Sequence, residues 1–341
     1  MLKAAPDPML ARKIKDKNII PVISQRLLCD LYLGGYAKMV AAYAKYIKYP
    51  FSDRQDLMEM AKFRSVKGVW DKKWEEYIKN PAPEQLGEEY LYTVKQHLFE
   101  TASNDGNTPK PLLKEVPEDL DVIGFENLMN LLEYPMFGDE GQDPMLILAE
   151  MSLPIYLTTS PHSFIEKAIL QLGGECESEF CRWREGSRHI ASVFDKDGYE
   201  PSPGKPLVYH LLGLDRYQDS LVLTEDDYLT FLIEITKSDQ PYSTTRVAQA
   251  IAESSLLFLG FNLQSWEFRV LFHGLIKPSA MLKPGKFIVQ IDPNEQGEVP
   301  TEEEQRYFRN YMRDEAKLEI EWGEIHQYLR ELKDLTDQIK Y

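Results

Sequence analysis

Five short apolar runs set the rhythm of the chain: Ile19–Ser24, Leu153–Ser160, Pro206–Leu212, Ser255–Phe261 and Lys286–Ile291. Each is strand-length, rich in Ile, Val, Leu and Tyr, and polar on neither face, which predicts buried strands of a parallel sheet. Helical patterns lie between them. Pro161–Leu172 places proline in a first turn and stops at Gly173-Gly174. Thr224-Glu225-Asp226-Asp227 opens another helix with the spacing of a capping box and carboxylates at the helix start. Thr244–Glu253 and Ser265–Ile276 give two more, and the tail adds a weaker strand at Leu318–Trp322 with a closing helix at Glu324–Ile339. Strands alternating with helices predict a doubly wound parallel α/β sheet, Rossmann-like in class.

From Gly34 to Ala149 the alternation breaks. Helical patterns cover Tyr36–Lys48, Asp53–Ser65, Trp70–Lys79, Glu84–Ala102 and Phe125–Leu132, with a Pro- and Gly-containing connector from Ser103 to Pro117. The expected organisation is a first strand and loop (1–33), a helical insertion (34–149), a main α/β domain (150–293) and a completing segment (294–341). Within that last segment Asn294–Gln305, with Glu302-Glu303-Glu304, reads as a solvated loop. Ligands of such folds bind outside the carboxyl ends of the strands. Those ends carry Ser24-Gln25-Arg26, Thr158-Thr159-Ser160-Pro161-His162, His210-Leu211-Leu212-Gly213 and Gly260-Phe261-Asn262.

The 341 residues hold 39 Lys and Arg against 55 Asp and Glu, a net charge of −16. That balance disfavours DNA, RNA and anionic membranes as direct partners. Three cysteines are too few for a disulfide framework or a four-thiolate zinc ribbon, and they fit a reducing, cytoplasmic setting. Cys176 and Cys181, with His189 nearby, lack a fourth ligand, so a surface loop is expected there and no metal. No apolar run approaches the roughly 18 residues of a membrane span.

Four ordered motifs then carry a resemblance. Leu157-Thr158-Thr159-Ser160-Pro161-His162 enters a helix; Pro206-Leu207-Val208-Tyr209-His210-Leu211-Leu212-Gly213 follows; Leu221-Val222-Leu223-Thr224-Glu225-Asp226-Asp227-Tyr228 comes next; and Leu257-Phe258-Leu259-Gly260-Phe261-Asn262-Leu263-Gln264-Ser265-Trp266-Glu267-Phe268-Arg269 closes the series. In this order they resemble the prokaryotic sirtuin-like family, and the Trp322-Gly323 step before the last helix is similar too. The resemblance implies a doubly wound NAD-binding domain with a smaller insertion. It also implies NAD chemistry: protein deacylation, or NAD hydrolysis in anti-phage defence systems. The defence branch lacks the zinc ribbon, as does this chain.

Cleaving the nicotinamide–ribose bond needs a polar group near the anomeric carbon and a base. In the family these are an Asn after the second strand and a His before the Gly that ends the third. Here the positions hold Ser160 and Leu212. The first-strand loop, usually glycine-rich so that backbone amides approach a pyrophosphate, reads Ser24-Gln25-Arg26. His210 lies one tier deeper than Leu212, about 6.6–6.8 Å away on the same face, and His162 starts the following helix. Catalytic candidates are therefore His210, His162 and Ser160. Cofactor-binding candidates are Ser24, Gln25, Arg26, Thr158, Thr159, Gly213, Gly260 and Asn262.

The structural alternative makes His210 a core histidine bonded to a backbone carbonyl and His162 a helix-start residue. Trp266, Phe268 and Phe272 read as core, and Arg269 as one half of a salt bridge. Two functions stay open: an NAD glycohydrolase-type enzyme with altered catalytic groups, or a catalytically silent module acting as nucleotide sensor or assembly subunit. The partners implied are NAD or a related nucleotide, a second copy of the chain, or a defence-system protein.

Overall fold

A computed structural model describes residues 6–51, 56–71, 76–139, 141–196, 198–236, 245–276, 287–291, 301–316 and 318–339. Its strands are β1 Ile19–Ile23, β2 Val69–Asp71, β3 Glu76–Ile78, β4 Ile155–Thr158, β5 Glu177–Phe180, β6 Leu207–His210, β7 Ser255–Leu259, β8 Phe287–Ile291 and β9 Leu318–Trp322. Seven of them form one sheet in the order β5-β6-β4-β1-β7-β8-β9, and every neighbouring pair is parallel. From β1 the chain builds outward through β4 to the β5 edge, then returns across the sheet to β7. The order therefore reverses between β1 and β7, where an open α/β sheet leaves a crevice at its carboxyl edge.

Pro21 sits in the middle of β1, where a missing N–H would ordinarily break a ladder. Pairing with β4 begins one residue later, at Val22 against Leu157, so the proline lies just short of that ladder. Alternation sorts the strand residues to two faces. Ile19, Ile23, Tyr156, Val208, Leu257 and Leu259 point to one core; Ile20, Val22, Leu157, Tyr209, Leu256 and Phe258 point to the other.

The first core is covered by α1 Pro8–Lys15, α2 Gln25–Tyr32, α3 Tyr36–Ile47, α4 Leu57–Lys67, α5 Pro83–Asn104, α7 Phe125–Leu131, α8 Pro144–Glu150, α9 Phe164–Gln171 and α14 Ile325–Gln338, with the short α6 Lys110–Glu115 at its margin. The second is covered by α10 Glu225–Thr236, α11 Thr245–Glu253, α12 Trp266–Leu271 and α13 Glu302–Ala316. The helices that interrupt the α/β pattern thus share a core with one face of the sheet.

Local chemistry explains the element ends. Thr224 and Asp227 cap α10 reciprocally: the Asp227 amide donates to Thr224 Oγ1 at 3.2 Å and the Thr224 amide to Asp227 Oδ2 at 2.9 Å. Ser265 accepts the Phe268 amide and starts α12. Gly173 ends α9 with φ +76°, a conformation glycine adopts without the Cβ clash other residues meet.

Four expectations change. Trp70–Lys79 is no helix: Val69–Asp71 and Glu76–Ile78 pair antiparallel, with Trp70 opposite Tyr77, and the residues between, 72–75, lie outside the described residues. The two backbones pair in register, and Gly68 approaches the Ile78 carbonyl so closely that a Cβ there would lie 2.4 Å from it. The Ser103–Pro117 connector contains α6. Of the proposed Asn294–Gln305 loop, 294–300 lie outside the described residues, whereas the three glutamates form the first turn of α13. Thr301 caps it, accepting the Glu304 amide while the Glu304 carboxylate accepts the Thr301 amide. The segment between Cys176 and Cys181 is the edge strand β5 rather than a surface loop. Its Glu179 is buried because Arg182, the Phe180 and Val193 amides and the Ser192 hydroxyl all donate to it.

Candidate functional site

β1, β4 and β7 end side by side, and their first loop residues are tied to one another. Ser24 caps α2, accepting the Leu27 amide at 3.1 Å while its hydroxyl donates to the Gly260 carbonyl at 2.6 Å. Gly260 has φ +74°, and a Cβ there would lie 2.4 Å from Leu27 Cβ and 2.9 Å from Ser24 Oγ. Only glycine lets this loop pass so near the head of α2. Thr158 donates its hydroxyl to the Ile23 carbonyl and accepts the Ser160 amide. Thr159 accepts the Gln25 amide at 2.8 Å and donates to Glu267.

Around these residues the crevice is a cavity of about 60 Å³. Gln25 spans it and donates from Nε2 to the Tyr90 hydroxyl at 2.6 Å, linking β1's loop to the insertion helix α5. Thr159, Pro161, Leu212, Tyr36, Tyr228 and Glu267 are among the other residues that line the cavity. Burial raises the Glu267 carboxyl above its usual range, although Thr159, the Gln25 amide and Arg26 partly oppose it. Trp266, expected in the core, is 36 % exposed at the rim.

The remaining candidates separate. Asn262 is exposed; its side chain accepts the Gln264 amide in a local turn. Arg26 lies beside Asp30, 3.8 Å away. Gly213, at φ +99°, supports the turn after β6, where a Cβ would sit 2.3 Å from the Ser220 carbonyl oxygen. Ser160, His162 and His210 are completely buried.

His210 faces Ser160 O at 2.7 Å through Nδ1 and Glu166 Oε1 at 2.8 Å through Nε2. A carbonyl can only accept, so Nδ1 carries a proton; the Nε2 contact then holds a second proton shared with Glu166. Burial would lower the imidazole, but the Glu166 carboxylate overrides it and raises the His210 pKa. Burial would likewise raise Glu166, but the His210 charge and the Ser178 hydroxyl hold it below its usual range. The result is a buried imidazolium–carboxylate pair with both ring nitrogens engaged.

His162 differs. Its Nδ1 meets Asp215 Oδ2 at 2.8 Å, its ring stacks on Phe125 at 3.9 Å between centroids, and its buried Nε2 has no partner among the described residues. Asp215 and Phe125 also line a separate cavity of about 830 Å³ between the insertion and the turn after β6. Glu88, Glu89, Asp119, Asp121 and Glu126 share that wall with Lys95 and Arg216, so carboxylates outnumber cations and the lining disfavours phosphates.

Residues 154–314 match the family model of the SIR2-like domain. The SIR2-like match begins at the threshold of β4 and extends into α13, so it spans the loops from Thr159 to Glu267 and leaves β1 and the insertion outside it. No curated protein sequence matches the chain. SIR2-like domains generally bind NAD, which can be tested against the residues present. A dinucleotide needs free backbone amides at the head of α2. Here the Gln25 amide is taken by Thr159, Leu27 by the Ser24 hydroxyl and Leu28 by the Ser24 carbonyl. Pockets for drug-sized ligands usually hold roughly 300–1,000 Å³, several times this crevice. NAD does not fit this crevice in this conformation.

Sequence reasoning located the strand-end loops but missed Glu166, Asp215, Tyr90 and Glu267, the partners that decide what the named residues do. Only Glu267 had a usable signal: an acid in the first turn of the helix after β7, opposite a strand-one loop without glycine.

Proposed function

We propose that the chain is a SIR2-like module of the prokaryotic defence type that does not turn over NAD and serves as an assembly or sensing subunit. One observation carries this: the carboxyl-edge crevice is filled by the protein's own hydrogen-bonded side chains, Gln25 to Tyr90 and Glu267 to Thr159. Two substitutions support it, Ser160 and Leu212 standing where the resemblance expects the Asn and the His. The His210 imidazole is consumed by Ser160 and Glu166 and has no nitrogen left to activate water. The defence context rests on the family resemblance.

A second reading, NAD hydrolysis, is favoured by His162, whose Nδ1 is oriented by Asp215 while Nε2 carries no partner among the described residues. That is the arrangement of an oriented base. Incubating the purified chain with NAD and following nicotinamide release separates the two. The proposal expects no release above background. Release that His162→Ala abolishes would establish the second reading.

A further inference from the structure

The crevice is shut by a defined joint rather than by bulk. Thr159 donates its hydroxyl to the Glu267 carboxylate and accepts the Gln25 amide at the same Oγ1. Three elements therefore meet through one hydroxyl: Thr159, just past β4, holds the first amide of α2 and reaches α12 at Glu267. The head of a helix concentrates partial positive charge, and Arg26 adds a full cation near Glu267. A phosphate bound at this place would take the Thr159 hydroxyl and the Arg26 guanidinium, with the Gln25 amide staying on Thr159 Oγ1.

We infer that Glu267 is an internal replacement for a bound phosphate, clamping α12 onto the carboxyl edge of the sheet and keeping the crevice closed. This rests on the proposal above that the crevice does not turn over NAD, and it names the group that shuts it. The carboxylate is tethered by its own chain, so it occupies the donors at an effective concentration in the millimolar range or above. A free anion must exceed that to displace it. The clamp acts on a short element: α12 is six residues long and continues into the wider turn Phe272–Ile276. Phe268 and Leu271 anchor its inner face, leaving its first turn to be held by Ser265 and by Glu267.

The test uses the full chain and the variants Glu267→Ala and Glu267→Gln, with two readouts: calorimetric titration with inorganic pyrophosphate, and hydrogen exchange of residues 24–28 and 262–268. Wild type should show no saturable binding. Glu267→Ala should bind pyrophosphate with Kd of about 1 mM or tighter, ~4 kcal/mol by the affinity relation. Exchange in both segments should rise about tenfold, as expected when a charged partner is lost. Glu267→Gln, which keeps the volume, should shift both in the same direction by less, and it carries the test should the alanine variant not fold. Unchanged exchange, absent pyrophosphate binding by the folded variants, or wild-type binding as tight as the variant's overturns the inference. Nicotinamide release by wild type would instead overturn the proposed function.

Discussion

Replacing His210 or Glu166 should have unequal consequences, and the inequality follows from proton bookkeeping. Both side chains are buried, and their contact is 2.8 Å. His210→Ala removes the counter-ion and leaves Glu166 with the Ser178 hydroxyl as its remaining side-chain donor. Removing one partner of a buried pair costs roughly 3–5 kcal/mol. Glu166→Gln is different. A neutral His210 keeps its Nδ1–H on the Ser160 carbonyl, and the glutamine amide nitrogen, standing where Oε1 met both neighbours, donates one N–H to His210 Nε2 and the other to the Ser178 hydroxyl. Every contact survives without a buried charge, so the cost should be about 1 kcal/mol or less.

The sign with pH follows from the two shifts. His210 is raised from 6.5, so its contribution is complete below 6.5 and is lost as pH rises through its folded value. Glu166 is lowered from 4.5, so its contribution is complete above 4.5 and is lost as pH falls through its folded value. The pair therefore stabilises most between these limits. Urea unfolding at pH 5.5 and at pH 8.5 measures it: wild type should lose stability relative to Glu166→Gln at the higher pH. Equal destabilisation by His210→Ala and Glu166→Gln, or a His210→Ala cost below about 1 kcal/mol, would refute the ion pair.

Two further substitutions probe the scaffold. Gly260→Ala places a methyl 2.4 Å from Leu27 Cβ in a left-handed conformation, and should cost about 2–5 kcal/mol in urea unfolding; a neutral result would mean that the loop does not pass so close to α2. Glu179→Ala removes the acceptor of Arg182, Ser192 and Val193, about 3 kcal/mol of local hydrogen bonding to a charged group. Limited proteolysis should then cut within 182–196 at least tenfold faster than in wild type, and an unchanged pattern would refute Glu179 as the anchor of that segment.

How much of this was legible beforehand depended on whether the cause was local. Ile19–Ile23 and Ser255–Leu259 announced themselves as buried strands because both of their faces are apolar. β5, reading Glu-Ser-Glu-Phe, carries no such signal; its burial depends on donors contributed by residues 182–193. The helix expected at Trp70–Lys79 failed for a related reason, since Trp70 finds Tyr77 across a strand pair and not along a helix face. At the site, the named strand-end residues were visible as positions, and the absence of glycine before α2 was visible as composition. That Gln25 reaches Tyr90, 65 residues away, or that His210 meets Glu166 across 44, belongs to the folded chain alone.

On the proposed reading, the crevice is closed against a dinucleotide. Calorimetric titration of the wild-type chain with NAD tests it most directly. The closed joint predicts no saturable heat up to millimolar NAD; a Kd in the micromolar range, about 8 kcal/mol of binding free energy, would contradict it.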